Sequence, residues 1–438
     1  MSESRLGLTG AVSIALGGMV GGGIFAILGV VAGLTGPAAW LAFVAAGVVA
    51  ACAGYAYVSL DRQTAESGGA VTFLERYVGN ATLAGVVGWT LLVGYVGSMA
   101  MYAYAFGRFS ESLVGVDSLG GIPVRPVVSV AAVATFVALN LAGARASGTT
   151  EVALVGGKVA ILLALGLGGL GYAFTSPDAS VSLGLSGLGG LAPLVAASLS
   201  FVPFQGWQLL LYDEDVIRNE STTVPRAIFL SIAGAVVVYV LVALVTTNLA
   251  AQAVEQHPET ALAFAAKPLL GQTGVLLVEV AALFSTGSVI NATLFSSARF
   301  AEGMLDDGLL PDEVGRAGSD GPSRRLVLAL GGLTAAFTAA GSLDGITSFA
   351  SLAFIAVFGV VSVLAVRERE DTLTGVVVSV GLLGTATFFP LLCYHLVTDR
   401  PEVAWTVLVV AVVVVGAELL YFERETLLEE AVAVERRL

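Results

Sequence analysis

Runs of about twenty apolar residues recur along this 438-residue chain. A run of that length crosses the ~30 Å hydrocarbon of a bilayer as one helix. The runs fall near residues 9–34, 37–61, 81–107, 124–143, 147–174, 190–214, 226–249, 271–300, 325–343, 345–366, 373–396 and 402–421. The expected fold is therefore an all-α polytopic membrane protein with twelve transmembrane helices. Cys52 and Cys393 both lie inside apolar runs, which argues against a disulfide framework or a zinc site. Only Arg5 precedes the first run, so that run reads as a retained span rather than a cleaved leader.

Charge placement sets an orientation, because cytoplasmic loops collect Arg and Lys. With the N-terminus inside, fifteen of the 20 basic residues, from Arg5 through Arg62, Arg76, Arg145, Arg218 and Arg316 to Arg437, fall on the cytoplasmic side. Arg108, Arg125, Lys267 and Arg400 fall outside, and Lys158 falls within a span. Both termini are expected in the cytoplasm and the protein in the cell membrane. The loop from Asp61 to Gly79, with Phe73, Leu74, Tyr77 and Val78, reads as a short amphipathic helix on the inner surface. The outer segment 251–268 reads as partly helical, the polar segment 299–325 as an inner loop, and the residues after Tyr421 as a short charged tail.

The first span carries Gly17-Gly18-Met19-Val20-Gly21-Gly22-Gly23-Ile24-Phe25. Each glycine costs a helix interior roughly 1 kcal/mol relative to Ala. The helix is expected to break here, which lipid tolerates only where the opened backbone lines a cavity or binds something polar. A second break is expected in the sixth span at Phe201-Val202-Pro203-Phe204-Gln205-Gly206-Trp207, where the proline removes a donor and the glycine permits unwinding. The breaks begin ~12 Å and ~17 Å inside their spans, from opposite faces. Interrupted helices in corresponding positions point to an inverted repeat of five plus five spans. The repeats would occupy residues 1–175 and 190–366, with spans 11 and 12 and the tail in 367–438.

These residues carry a resemblance. The run Gly17 to Phe25 resembles the glycine-rich first span of amino acid–polyamine–organocation (APC) superfamily transporters, which have the leucine-transporter fold. Tyr55 to Gly79 with Ser67-Gly68-Gly69 is similar to that family's second-span exit. Phe204-Gln205-Gly206-Trp207, Asp213-Glu214-Asp215 and Val224-Pro225-Arg226-Ala227-Ile228 resemble its sixth span and following loop. Ser297-Ala298-Arg299 and Asp307-Gly308-Leu309-Leu310-Pro311 resemble the end of its eighth. One departure stands out: Gln208 occupies a position at which many members carry an acid.

The breaks suggest a site for an α-amino acid. Free N–H groups near Gly22 and Gly23 suit a carboxylate. Free carbonyls near Met19 and from Phe201 to Phe204 suit an ammonium group. The resemblance implies that Met19, Gly21, Gly22, Gly23, Phe201 and Phe204 hold the substrate backbone. Gly206 opens the sixth-span break, and Phe204 and Trp207 are candidates to close over the substrate side chain, or are packing residues.

Lys158 lies ~17 Å into the fifth span, where a charged ammonium is expensive and is expected to face the protein interior. It reads either as a proton carrier or as a fixed cation in a sodium-like site. The resemblance implies such a site between the first, fifth and eighth spans, and Ser285 and Thr286 are its expected oxygen partners. A structural lysine bonded to first-span carbonyls is the bland alternative. Glu279 is a second titratable candidate, and His395 reads as a lone interfacial histidine.

An embedded enzyme would need a nucleophile–base pair or a metal cluster, and neither pattern is present in the sequence. The glycine run is not a phosphate loop, for it lacks the Gly-Lys-Ser/Thr ending. The expected function is a secondary active amino acid permease, working by alternating access and proton-coupled through Lys158. An uncoupled exchanger or uniporter and a non-transporting amino acid sensor are the alternatives. The expected partners are an amino acid, a proton in preference to sodium, and the lipid bilayer, with no nucleic acid, metal or cofactor.

Overall fold

A computed structural model describes residues 6–64, 69–143, 148–177, 180–187, 189–212, 217–311 and 323–422. Ser67, Gly68, Arg145, Asp213, Glu214, Asp215, Arg316 and the charged tail after residue 422 lie outside the described residues. The first helices are α1 (Leu8–Thr35), α2 (Ala39–Asp61), α3 (Ala70–Val78), α4 (Ala81–Val114), α5 (Val124–Leu141) and α6 (Gly148–Thr175). They are followed by α7 (Ala192–Leu199), α8 (Glu220–Leu249), α9 (Ala251–Gln256), α10 (Ala261–Phe264) and α11 (Lys267–Asp306). The last are α12 (Arg324–Ala340), α13 (Leu343–Arg367), α14 (Thr372–Asp399) and α15 (Pro401–Phe422). Sheet among the described residues is confined to a two-residue ladder pairing Ser118–Leu119 with Ile122–Pro123.

Among the described residues, nine helical stretches are long and apolar enough to cross a membrane. The first, Leu8–Asp61, contains both α1 and α2, which a 3₁₀ turn at Gly36–Ala38 joins. α12, with 17 residues, falls just short of that length, and α15 has 22 residues, with a described apolar stretch from Pro401 to Gly416.

The core forms around α1. It packs against α4, α6, α8 and α11, and its residues from Gly17 to Gly29 are all buried. A helix apolar on every side belongs in the centre of a bundle rather than on its surface. The expected amphipathic helix is present as α3, with Phe73 and Leu74 buried against the bundle and Val78 exposed. The segment 251–268 is partly helical, as α9 and α10. The eighth span runs two turns further than the sequence suggested, since α11 continues to Asp306.

The two expected breaks have different outcomes. The sixth span breaks: α7 ends at Leu199, a 3₁₀ turn covers Val202–Phe204, Gln205 is extended, and a second 3₁₀ stretch covers Trp207–Tyr212. Gly206 between them has φ +128°, open to glycine and strained for other residues. The first span does not break, and Leu8–Thr35 is one continuous 28-residue helix. Its glycines serve close packing instead. A Cβ at Gly22 would lie 2.3 Å from the Tyr102 ring, and one at Gly23 would lie 2.7 Å from Pro203 Cα. Small residues on a buried helix let neighbouring backbones approach, and helix formation satisfies every peptide group without water. These gains outweigh the glycine propensity cost.

Candidate substrate and cation sites

The break in the sixth span lies directly against the glycine face of α1. A Cβ on Gly18 would sit 3.2 Å from Gly206 Cα, so the two backbones touch. Around this contact Met19, Phe204 and Trp207 are 0% exposed and Phe201 1%, while Gly21, Gly22, Gly23 and Gly206 are also buried. All eight expected substrate residues are buried; Gly18 meets Gly206 and Gly23 meets Pro203 across the contact, whereas Gly21 faces Val289 and Lys158. The structure does not supply the free N–H groups expected at Gly22 and Gly23, because the helix runs through them.

Side chains satisfy the opened backbone. Gly206 N–H donates to Gln208 Oε1 at 2.7 Å, and Gln208 Nε2 in turn reaches Gln205 Oε1 at 3.3 Å and the Tyr95 hydroxyl at 3.4 Å. Gln205 Nε2 donates to the Tyr102 hydroxyl at 2.6 Å. The Tyr239 hydroxyl lies 2.6 Å from Met19 O and 2.9 Å from Pro203 O. A hydroxyl has one proton, so the two carbonyls share a single donor. The hydroxyl thus ties a carbonyl of the wound α1 to one of the opened segment, and two carbonyls converging on one point can also accept from an ammonium.

Sequence reasoning missed Tyr239, Tyr95, Tyr102 and the bonding role of Gln205. Tyr239 stands alone in the apolar run Val236-Val237-Val238-Tyr239-Val240-Leu241-Val242, and Tyr95 and Tyr102 are seven apart, on one helix face. Those were the available signals.

Aromatic rings seal the same junction. Phe204 meets Tyr239 edge-on with centroids 5.1 Å apart. Trp207 meets Tyr57 at 5.2 Å and Phe358 at 5.2 Å, and Phe201 meets Phe358 at 5.6 Å. Trp207 Nε1 and the Tyr57 hydroxyl are buried here without hydrogen-bond partners among the described residues. A buried unpaired polar group costs about 1–3 kcal/mol.

Lys158 is 7% exposed, and its Nζ donates to Gly17 O at 3.0 Å. A Cβ on Gly21 would lie 3.3 Å from the same nitrogen, so the ammonium rests on the glycine face of α1. Ser285 approaches the next turn, its hydroxyl donating to Val20 O at 3.3 Å. Thr286 turns back on its own helix, donating to Ala282 O at 2.7 Å. Lys158 and Ser285 thus meet α1 from α6 and α11, and the hydroxyl proton of Thr286 is spent locally.

The chain matches the amino acid permease family over residues 6–417. It belongs to that family. Permeases are transporters, so the chain is a multi-pass membrane transporter and not an enzyme. The chain is 32% identical over 381 residues to the inner membrane transport protein YbaT of Escherichia coli (strain K12), covering 84% of each chain. It is 26% identical over 321 residues to the serine/threonine exchanger SteT of Bacillus subtilis (strain 168), covering 70% of each. Its fold is similar to that of the Eremococcus coleocola manganese transporter, with TM-score 0.60 and 12% identity over 94% of this chain and 92% of that one.

The Gly29 end of α1 is also tightly packed. Pro258 O lies so near Gly29 of α1 that an added Cβ would be 1.7 Å away. The segment carrying it is fastened by Arg108, which bonds Glu259 at 3.3 Å and Glu111 at 2.9 Å. Arg125 stacks 4.0 Å over Tyr104 and donates to Thr338 O at 2.8 Å. Glu279 is 3% exposed and accepts from the Ser112 hydroxyl, joining α11 to α4 beside this cluster. His395 pairs with Asp399 at 2.8 Å on α14, away from the central site.

Proposed function

We propose that this permease is a secondary active amino acid transporter of the cell membrane that works by alternating access and is proton-coupled through Lys158. Lys158 carries the proposal: a buried ammonium bonded to a carbonyl of the helix that also lines the substrate junction. Losing its proton would weaken the hold on Gly17 O, so protonation and α1 position are linked. Ser285 is the second residue of this site, and Thr286 supports it by packing.

The substrate sits between Met19, Gly21, Gly22 and Gly23 of α1 and Phe201, Phe204, Gly206 and Trp207 of the broken segment. Its ammonium takes the Met19 and Pro203 carbonyls, which Tyr239 now shares, and its carboxylate competes with Gln208 for the Gly206 N–H. Two orphan polar atoms, on Trp207 and Tyr57, favour opening of the aromatic seal, since water would satisfy them. The outer seal is the segment held by Arg108 and Glu259. The chain crosses the bilayer twelve times with both termini cytoplasmic, and residues 1–175 and 190–366 form inverted repeats.

The second reading is exchange without a driving ion, which the same junction serves and which the similarity to a serine/threonine exchanger favours. Uptake of labelled amino acids into proteoliposomes separates the two. Concentrative uptake under an inward proton gradient, with sodium absent, is expected. Flux that requires only amino acid on the far side would replace coupling with exchange.

A further inference from the structure

Two helices, α4 and α13, meet the broken segment side by side, and each turns a hydroxyl toward the corner between them. Gly94 of α4 packs on Ala353 and Gly97 on Ala350, so the two helices run antiparallel in close contact. On another side of α4, Tyr95 and Tyr102 bond Gln208 and Gln205 of the broken segment. At about 100° per residue, Ser98 points between these two directions. On α13, Ala350 faces α4, while the Ser351 hydroxyl donates to Leu199 O at 3.2 Å, just ahead of the break. Thr347 points between those two directions by the same count. With Gly97 level with Ala350, Ser98 and Thr347 differ in depth by only ~3 Å.

Both side chains are 0% exposed, and neither hydroxyl has a hydrogen-bond partner among the described residues. A serine or threonine inside a helix commonly gives its proton to a carbonyl one turn back. Ser362 does so to Phe358 O at 2.7 Å and Thr334 to Leu330 O at 2.8 Å. Ser98 and Thr347 are left for something else. The corner borders the substrate junction, since the ring of Tyr102 lies against Gly22 of α1. Charge is remote from it. The buried Asp, Glu, Lys and Arg side chains among the described residues are Glu111, Glu279 and Lys158. Glu111 and Glu279 lie with the Arg108 cluster, and Lys158 lies on the Gly17 side of α1.

On the reading that an amino acid occupies the junction, we propose that its side chain enters this corner, where Ser98 and Thr347 select a short hydroxylated side chain, that of serine or threonine. A hydroxyl donates one hydrogen bond and accepts two, so a single substrate hydroxyl donates to one orphan oxygen and accepts from the other. An alanine or valine side chain leaves both unpaired. A charged one would be buried without a counter-ion. The approach of α4 to α13 at Gly97 keeps the corner short, for an added Cβ there would lie 3.1 Å from Ala350 Cβ.

The test is uptake of labelled L-serine and L-alanine into proteoliposomes, read as the ratio of their Vmax/KM values. The wild type is expected to favour serine about a hundredfold, roughly tenfold for each hydrogen bond gained. Ser98→Ala and Thr347→Val should each lower the ratio to about tenfold. Thr347→Ser keeps a hydroxyl and should hold the wild-type ratio. The ratio cancels any loss of folding or of turnover common to both substrates. Wild type that carries alanine as readily as serine, that carries other amino acids but not serine, or whose preference survives both Ser98→Ala and Thr347→Val would overturn the proposal and leave the junction standing. Wild type that carries no amino acid would overturn the reading of the junction, and the proposal with it.

Discussion

α1 and the segment from Ala192 to Tyr212 meet at a pair of glycines, Gly18 and Gly206, and resolve the contact in opposite ways. The helix with five glycines in seven residues stays wound, and the segment with Pro203 and a single glycine at its middle opens. The difference lies in what replaces the lost backbone hydrogen bonds. In the sixth span Pro203 has no N–H to lose, Gly206 adopts φ +128°, and the side chains of Gln208 and Tyr239 occupy the freed groups. In α1 the Tyr102 ring and Pro203 crowd Gly22 and Gly23 so closely that a Cβ would not fit, and the helix keeps its own backbone hydrogen bonds. Glycine alone permits a break in a membrane helix; a waiting partner produces it.

The largest expected effect comes from asking α1 to give up its close approach. Gly22→Ala places a Cβ 2.3 Å from the Tyr102 ring, an overpacking expected to cost about 1–3 kcal/mol and to abolish uptake. Gly33, in the same helix, has open space where a Cβ would stand, with nothing within 4 Å, so Gly33→Ala should stabilise by up to about 1 kcal/mol. Thermal unfolding and uptake of the two variants side by side test whether packing or propensity governs this helix. Gly206→Ala sharpens the other half of the contrast. At φ +128°, alanine should cost about 1–3 kcal/mol in strain and lower uptake at least as much as it lowers stability.

Tyr239→Phe is a smaller change. It removes the donor that Met19 O and Pro203 O share, so stability should fall by about 1 kcal/mol and the KM for amino acid should rise, because the carbonyls lose their fixed positions. An unchanged KM would remove these carbonyls from the ammonium site. The smallest effect is expected at the outer seal. Arg108 and Glu259 keep 34% and 25% of their side chains exposed, so Arg108→Gln should cost below about 1 kcal/mol of stability, with any larger change confined to transport rate.

Legibility followed the same contrast. The apolar runs reveal the helical bundle because lipid demands a full span of hydrophobic residues, and the Pro203–Gly206 pair reveals the true break because it removes a donor and frees a backbone. The burial of Lys158 was legible because a charge at mid-span has few places to go, and Ser285 entered through the resemblance rather than through any local signal. The glycines of α1 misled because unwinding and close packing ask for the same residue, and only the partner across the interface separates them. Tyr239 and the Gln205–Tyr102 pair were hidden, since a polar side chain in an apolar span shows no partner until distant helices are brought together.

The account rests most heavily on Lys158, and one comparison tests it directly: Lys158→Ala in proteoliposomes, measured both for uptake driven by an inward proton gradient and for exchange between internal and external amino acid. The expected result is loss of gradient-driven accumulation with exchange retained, because the substrate junction is left intact while its link to protonation is gone. Full gradient-driven accumulation in the variant would contradict it and leave Lys158 as a structural cation on the Gly17 carbonyl.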